Sequence, residues 1–111
     1  MISLHKLNSD IAFPDPQQAL ADPNGLLAFG GDLSIKRLVL AYRSGIFPWF
    51  SEGEPILWWS PDPRGVIFTK EYKSSKSLVK HIRKQNLTVT TDKAFDRVID
   101  CLLYTSPSPR D

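Results

Sequence analysis

Residues 45–65, GIFPWFSEGEPILWWSPDPRG, constrain the fold more than any other part of the chain. Phe47, Trp49, Phe50, Trp58 and Trp59 fall within them, with Pro48, Pro55, Pro61 and Pro63 interleaved. Proline rings that fix φ, set beside large planar side chains, leave the segment little entropy to lose on ordering. Such a stretch builds a platform with fixed faces. The platform is either the core of a small domain or a surface on which flat ligands stack. Ile56-Leu57-Trp58-Trp59 reads as a strand, in which neighbouring side chains point to opposite faces. Trp58 and Trp59 therefore do not share one pocket. If one supports the core, the other faces a second layer or a ligand.

The remainder is ordinary enough to be read by its punctuation. At 111 residues, 41% hydrophobic and 23% charged, the chain suits one domain, or one small domain and part of another, of a soluble globular protein. Its apolar runs are too short to cross a bilayer, and the start lacks the pattern of a secretion signal. A lone cysteine, Cys101, fits a reducing cytoplasm. His5, His81 and Cys101 have no metal-ligand spacing, so no metal site is expected.

Residues 11–14 suggest a short extended piece. Asp15-Pro16-Gln17-Gln18 then opens a short helix, with Asp15 as N-cap and proline at the first helical position. Asp22-Pro23-Asn24-Gly25 is a turn, and residues 26–29 form a buried strand or extended piece. Ser34 caps the next helix, whose Ile35, Leu38, Val39 and Tyr42 repeat at helical period as one apolar face, and Gly45 ends it. The preceding Gly30-Gly31-Asp32 lacks the spacing of a phosphate loop and reads as a tight turn. Ser60-Pro61-Asp62-Pro63-Arg64 is a stiff connector.

After the connector the pattern changes. Residues 66–69 read as a strand, Ser74 or Ser75 opens a helix to about Gln85, and residues 87–91 read as a second strand rich in β-branched side chains. Asp92 caps a helix holding Ala94, Phe95, Val98 and Ile99. This β-α-β-α order suggests the opening of an α/β or α+β domain. From Cys101 onward the helical pattern is lost, and LLYTSPSPRD reads as a disordered or non-native tail, such as translated adaptor sequence. The expected organisation is a small domain over residues 1–63, the start of a second over 64–100, and a tail over 101–111.

Charge follows the same division. Residues 1–63 carry four Lys/Arg against seven Asp/Glu, a net −3; residues 64–100 carry nine against four, a net +5. On a helical wheel Lys76, Lys80, Arg83 and Lys84 share one face, and Leu78, Val79 and Ile82 another. A basic stripe is commonly only a solvated face. Here no acidic residue lies between Lys73 and Asp92, and an aromatic platform precedes the stripe. Cations beside stacking rings are what single-stranded nucleic-acid ends require.

Taken together, NGLLAFGGDLS, AYRSGIFPWFS and ILWWSPDPRG resemble the leucyl/phenylalanyl-tRNA-protein transferases of bacteria, over about residues 3 to 100. The resemblance implies transfer of Leu or Phe from aminoacyl-tRNA to proteins that begin with Arg or Lys, which marks them for degradation. It implies an α+β fold in which a small N-terminal domain precedes a GNAT-like acyltransferase domain, present here only in its first elements. Trp49 matches the family tryptophan that stacks on the adenine at the tRNA 3′ end. Tyr42, Phe47 and Trp59 are expected to shape that pocket, while Lys76, Lys80, Arg83 and Lys84 contact the tRNA body. Arg64 either holds a phosphate or caps the SPDP turn. The catalytic residues are expected in the part of the family's second domain that has no counterpart here. The chain alone is therefore expected to be an inactive fragment or, alternatively, a non-catalytic tRNA 3′-end-binding module. A cytoplasmic monomer without metal or dissociable cofactor completes the expectation.

Overall fold

The computed structural model describes residues 3–105, in the order β1 (His5–Leu7), a 3-10 turn (Pro16–Gln18), β2 (Leu26–Gly30), α1 (Ile35–Arg43), β3 (Phe47–Pro48), β4 (Leu57–Trp59), α2 (Lys76–Lys84) and α3 (Phe95–Thr105). The fold is mixed α+β. The chain divides into two compact units, Met1–Gly65 and Val66–Asp111, each considered by itself below.

In the first unit the four strands form one sheet in the order β1-β2-β4-β3. β1 pairs in parallel with β2, and β4 pairs antiparallel with both β2 and β3. β1 is not marked in the sequence by a run of apolar or β-branched residues, and the short β3 lies within the apolar run of residues 46–50, where Pro48 masks its strand character. The expected extended piece at 11–14 is irregular instead. Leu7, Leu27, Ala28, Ala41, Ile46 and Trp58 make the core, with Phe13, Ala19, Leu38 and Ile56 packed around it. Trp58 is fully buried; its Nε1–H donates to the Gly30 carbonyl at 2.9 Å, and its ring meets Phe13 edge-on at 4.8 Å between centroids. The buried indole thus keeps its polar atom satisfied, as burial demands.

Local signals set the ends of α1. The Ser34 hydroxyl accepts from the Arg37 amide at 3.3 Å. At the other end Gly45, at φ +73°, donates to the Tyr42 carbonyl, and Ile46 donates to the Ala41 carbonyl at 2.8 Å. These two bonds make a Schellman motif, and its hydrophobic clasp, Ile46 against Ala41, lies in the core.

The helix is rotated away from the expected face. Ile35, Val39 and Tyr42 point outward and are 81%, 43% and 66% exposed. Of that face only Leu38 packs against the core. The buried residues are Arg37 and Ala41. Arg37 explains the rotation. Its Nη2 donates to the Asn8 and Asp10 carbonyls at 2.7 and 3.1 Å, Nη1 reaches the Ala12 carbonyl at 3.5 Å, and its charge centre lies 5.8 Å from the Phe13 ring. Asp32 Oδ1 stands 3.4 Å from Nε as a charge contact rather than a hydrogen bond. One buried cation thus fastens the 8–13 loop to α1. The Gly30-Gly31 turn belongs to the same assembly: a Cβ on Gly31, at φ +76°, would lie 3.1 Å from the guanidinium.

The second unit departs further from expectation. Residues 66–69 and 87–91 form no strand, so the expected β-α-β-α order is reduced to two helices among the described residues. A strand needs a neighbouring strand for its backbone groups, and among the described residues neither segment is paired with one. Ser75 caps α2, its hydroxyl accepting from the Leu78 amide at 3.2 Å. Asp92 does not cap α3: it lies at φ +57°, and the first helical bond runs from the Val98 amide to the Ala94 carbonyl. Nor is the helix lost at Cys101, because Leu102, Leu103 and Tyr104 continue it to Thr105, whose hydroxyl donates back to the Cys101 carbonyl at 2.6 Å. The rest of the expected tail, 106–111, lies outside the described residues. No described residue of this unit is buried.

Candidate nucleic-acid interface

The β3–β4 ladder sorts the aromatic stretch into two faces. Phe47 pairs with Trp59 and Pro48 with Trp58, and cross-strand partners share a face. Trp58 is in the core, so Phe47 and Trp59 lie on the outer face. The Trp49 amide donates to the Leu57 carbonyl at 3.0 Å, which extends the pairing by one residue; alternation then places Trp49 on the side of Phe47. The neighbouring tryptophans thus divide as the strand reading requires, with Trp58 inside and Trp59 outside.

The outer residues brace one another. Trp59 Nε1–H donates to the Trp49 carbonyl at 2.8 Å, which fixes the backbone under the Trp49 ring. That ring is 68% exposed, while Phe47 and Trp59 are half-buried. Beyond it, the Ser51 amide donates to the Glu54 carboxylate at 2.8 Å and closes the β3–β4 loop. The arrangement is a supported, solvent-facing indole. Tyr42 is exposed on α1 and, among the described residues, makes no ring contact with Phe47, Trp49 or Trp59.

Arg64 is the residue that the sequence placed only loosely. Its Nη1 donates to the Gly45 carbonyl at 2.6 Å and its guanidinium lies over the Phe47 ring, 5.0 Å from the centroid. It therefore caps the end of the α1 Schellman turn and not the SPDP turn. Arg64 and Phe47 lie at opposite ends of the hairpin and its connector, so no local sequence signal marks this stack.

On α2 the structure gathers Lys76, Lys80 and Arg83 around a shallow depression of about 340 Å³, with Ser74 and Val79; Lys84 is exposed but does not line it. Among the described residues the one ion pair is Arg37–Asp32, so none of these cations is neutralised by a described carboxylate. Asp32 itself is held below the ordinary aspartate range, chiefly by its hydrogen bonds with Ser34 and further by Arg37. No three His, Cys, Asp or Glu side chains gather as a metal would need among the described residues, and no described helix is long and apolar enough to cross a membrane.

With the two faces in place, the comparisons with known proteins fall on the same stretch. The family described as "Leucyl/phenylalanyl-tRNA protein transferase N-terminal domain" matches residues 31–62, which include α1, β3 and β4. Proteins named leucyl/phenylalanyl-tRNA--protein transferase match nearly the whole chain. That of Pseudoalteromonas atlantica is 60% identical over 99 residues, covering 89% of this chain and 42% of the relative. Those of Pectobacterium carotovorum and Nitrosomonas europaea are 58% and 57% identical, each over 86% of this chain and 42% and 41% of their own length. The chain is a relative of these transferases. It spans about two fifths of the length of the curated relatives it matches. Phe47, Trp49 and Trp59 lie inside the matched domain; the α2 cations lie beyond it, within the reach of the longer matches.

Proposed function

We propose that the chain is the part of a leucyl/phenylalanyl-tRNA-protein transferase that receives the 3′ end of aminoacyl-tRNA. The observation that carries this reading is the braced, solvent-facing Trp49 ring, lying in a segment that matches the family's N-terminal domain. The terminal adenine stacks on Trp49, for which such contacts contribute roughly 1–3 kcal/mol per base. Phe47 and Trp59 form the wall beneath it, and Tyr42 flanks the entrance from α1. Lys76, Lys80, Arg83 and Lys84 contact phosphates of the tRNA body; the absence of a carboxylate partner for them among the described residues supports this.

The reaction of the whole protein is aminoacyl transfer in the cytoplasm. The neutral α-amine of an acceptor beginning with Arg or Lys attacks the ester carbonyl that joins Leu or Phe to the tRNA ribose. A tetrahedral intermediate forms and collapses, the peptide bond is made, and the ribose oxygen leaves with a proton. The ester is already activated, so the work is positioning and oxyanion stabilisation. No residue of this chain is assigned to that chemistry. It belongs to a GNAT-like domain that begins after Arg64; the uncovered apolar side chains of Val66, Ile67 and Phe68 support a larger domain there. The 111 residues by themselves bind tRNA without turning it over.

Binding of an RNA hairpin ending in CCA, followed by fluorescence over a range of salt, tests the proposal. Trp49→Ala should weaken binding by about 1–3 kcal/mol. Changing Lys76, Arg83 and Lys84 together to Ala should flatten the log–log salt slope by about one unit for each phosphate no longer held. Leu-tRNA supplied with an Arg-terminated peptide should give no product. Unaltered affinity in Trp49→Ala would end the platform reading, an unaltered slope would return the α2 stripe to a solvated face, and turnover would refute the assignment of catalysis to another domain.

A further inference from the structure

We propose that Arg64 is a phosphate subsite on the aromatic face, gripping the backbone of the nucleotide whose base stacks on Trp49. The inference rests on the reading of that face as a nucleic-acid platform and adds a contact to it.

The chain holds two arginines by the same devices, and their differences assign the roles. Arg37 is fully buried, gives its donors to three carbonyls and carries Asp32 as counter-charge. Its binding capacity is consumed by the fold. Arg64 is equally well oriented, by Phe47 beneath its plane and the Gly45 carbonyl at one Nη, yet it is exposed and forms no ion pair among the described residues. One edge of the guanidinium is spent on structure, and the remaining donors are left to solvent. A planar fork with free N–H groups suits a phosphate's oxygens, and holding it in advance lowers the entropy lost on binding.

Position supports the same conclusion. Arg64 lies over Phe47 on the outer face, and Trp49 is the next residue of that strand to point the same way, roughly 7 Å along. An extended nucleotide spans such a step. The backbone leading to Arg64 is also pinned. Ser60 donates to the Gly25 carbonyl at 2.7 Å, the Asp62 amide donates to Asn24 Oδ1 at 3.3 Å, and a Cβ on Gly25 would strike Pro61 Cα at 2.5 Å. The guanidinium is therefore presented from a fixed connector.

The test uses the 111-residue chain and two single-stranded probes of sequence ACCA, one with ordinary phosphodiesters and one with uncharged methylphosphonate linkages. Arg64→Gln should weaken the phosphodiester probe several-fold at low salt and reduce its log–log salt slope by about 0.7, the value for one phosphate of a single strand. Binding of the uncharged probe should be unaltered, and Arg64→Lys should retain the slope. Trp49→Ala should weaken both probes alike. Equal weakening of both probes by Arg64→Gln would show a purely structural arginine and overturn the proposal. So would a salt slope unaltered by Arg64→Gln while Trp49→Ala still weakens binding, with the platform left standing. If Trp49→Ala leaves both probes bound as before, the platform itself is wrong and the subsite falls with it. Should Arg64→Gln lose its near-UV circular dichroism, Arg64→Lys decides: a slope lost with the charge retained refutes the phosphate contact.

Discussion

α1 and α2 are built to the same local plan and meet different fates. Each is nine residues long, each is opened by a serine whose hydroxyl accepts from the amide three residues on, and each is closed by a Schellman turn. In α2 the turn uses Asn86, at φ +54°, in place of glycine, with Asn86 donating to Arg83 and Leu87 to Ile82. The hydrophobic clasp tells them apart. Ile46 closes α1 from inside the core at 1% exposure, whereas Leu87 closes α2 at 54%. Caps and termini write a helix from local sequence; only apolar burial makes it part of a stable body. The first unit supplies that burial and the second, among its described residues, does not.

The widest separation between the units should appear on truncating a buried ring. Trp58→Ala removes the largest fully buried side chain and the partner of Phe13, and leaves the Gly30 carbonyl without its donor. A loss of about 3–5 kcal/mol is expected, enough to unfold the first unit in urea-monitored fluorescence. Ile99→Ala in α3, at 39% exposure, should change stability by less than about 0.5 kcal/mol. A comparable loss from both would mean that the second unit has a packed core of its own.

Arg37 sharpens the comparison because it does the work of an apolar anchor. Arg37→Met keeps the stem but leaves the carbonyls of Asn8, Asp10 and Ala12 without the donor they share. The expected cost is about 3 kcal/mol, with the amides of the 8–13 loop exchanging faster than the β2–β4 ladder. If the loop amides and the ladder lose protection together, the loop is part of the cooperative core and not a strap tied to it.

Arg37 also marks the limit of what could be read in advance. Ser34, Gly45, the Ser75 cap and the alternation of Trp58 and Trp59 were legible because each depends on residues within a turn or a strand. The apolar periodicity of Ile35, Val39 and Tyr42 pointed to the wrong face of α1. Three carbonyls from a loop some 25 to 29 residues away decided the rotation, and periodicity contains nothing of them. The parallel pairing of His5 with Ala28 was hidden for the same reason. Residues 66–69 and 87–91 have strand composition without strand structure, since composition cannot supply the neighbouring strand. In the aromatic stretch, the division of Trp58 to the core and Trp59 to the outer face followed from strand alternation. The Arg64–Phe47 stack could not be read in this way, because it joins two segments that only the folded hairpin brings side by side.

The smallest expected effect is the one that tests the comparison most directly. Ser34→Ala and Ser75→Ala remove the same hydroxyl from the same position of two helices of equal length, and each should cost about 1 kcal/mol of local helix stability. In α1 that cost is shared with the core through Ala41 and Ile46, so the whole first unit should unfold at lower urea, with its slope unaltered. In α2 nothing buried transmits it. The expected result there is faster exchange at the amides of residues 77 and 78 and a modest loss of helical circular dichroism, with the cooperative transition in place. Displacement of that transition by Ser75→Ala as far as by Ser34→Ala would show α2 coupled to a packed body, and the contrast between the two helices would then reduce to exposure alone. Movement by Ser34→Ala only would establish that identical local signals acquire global weight from the side chain that closes the turn.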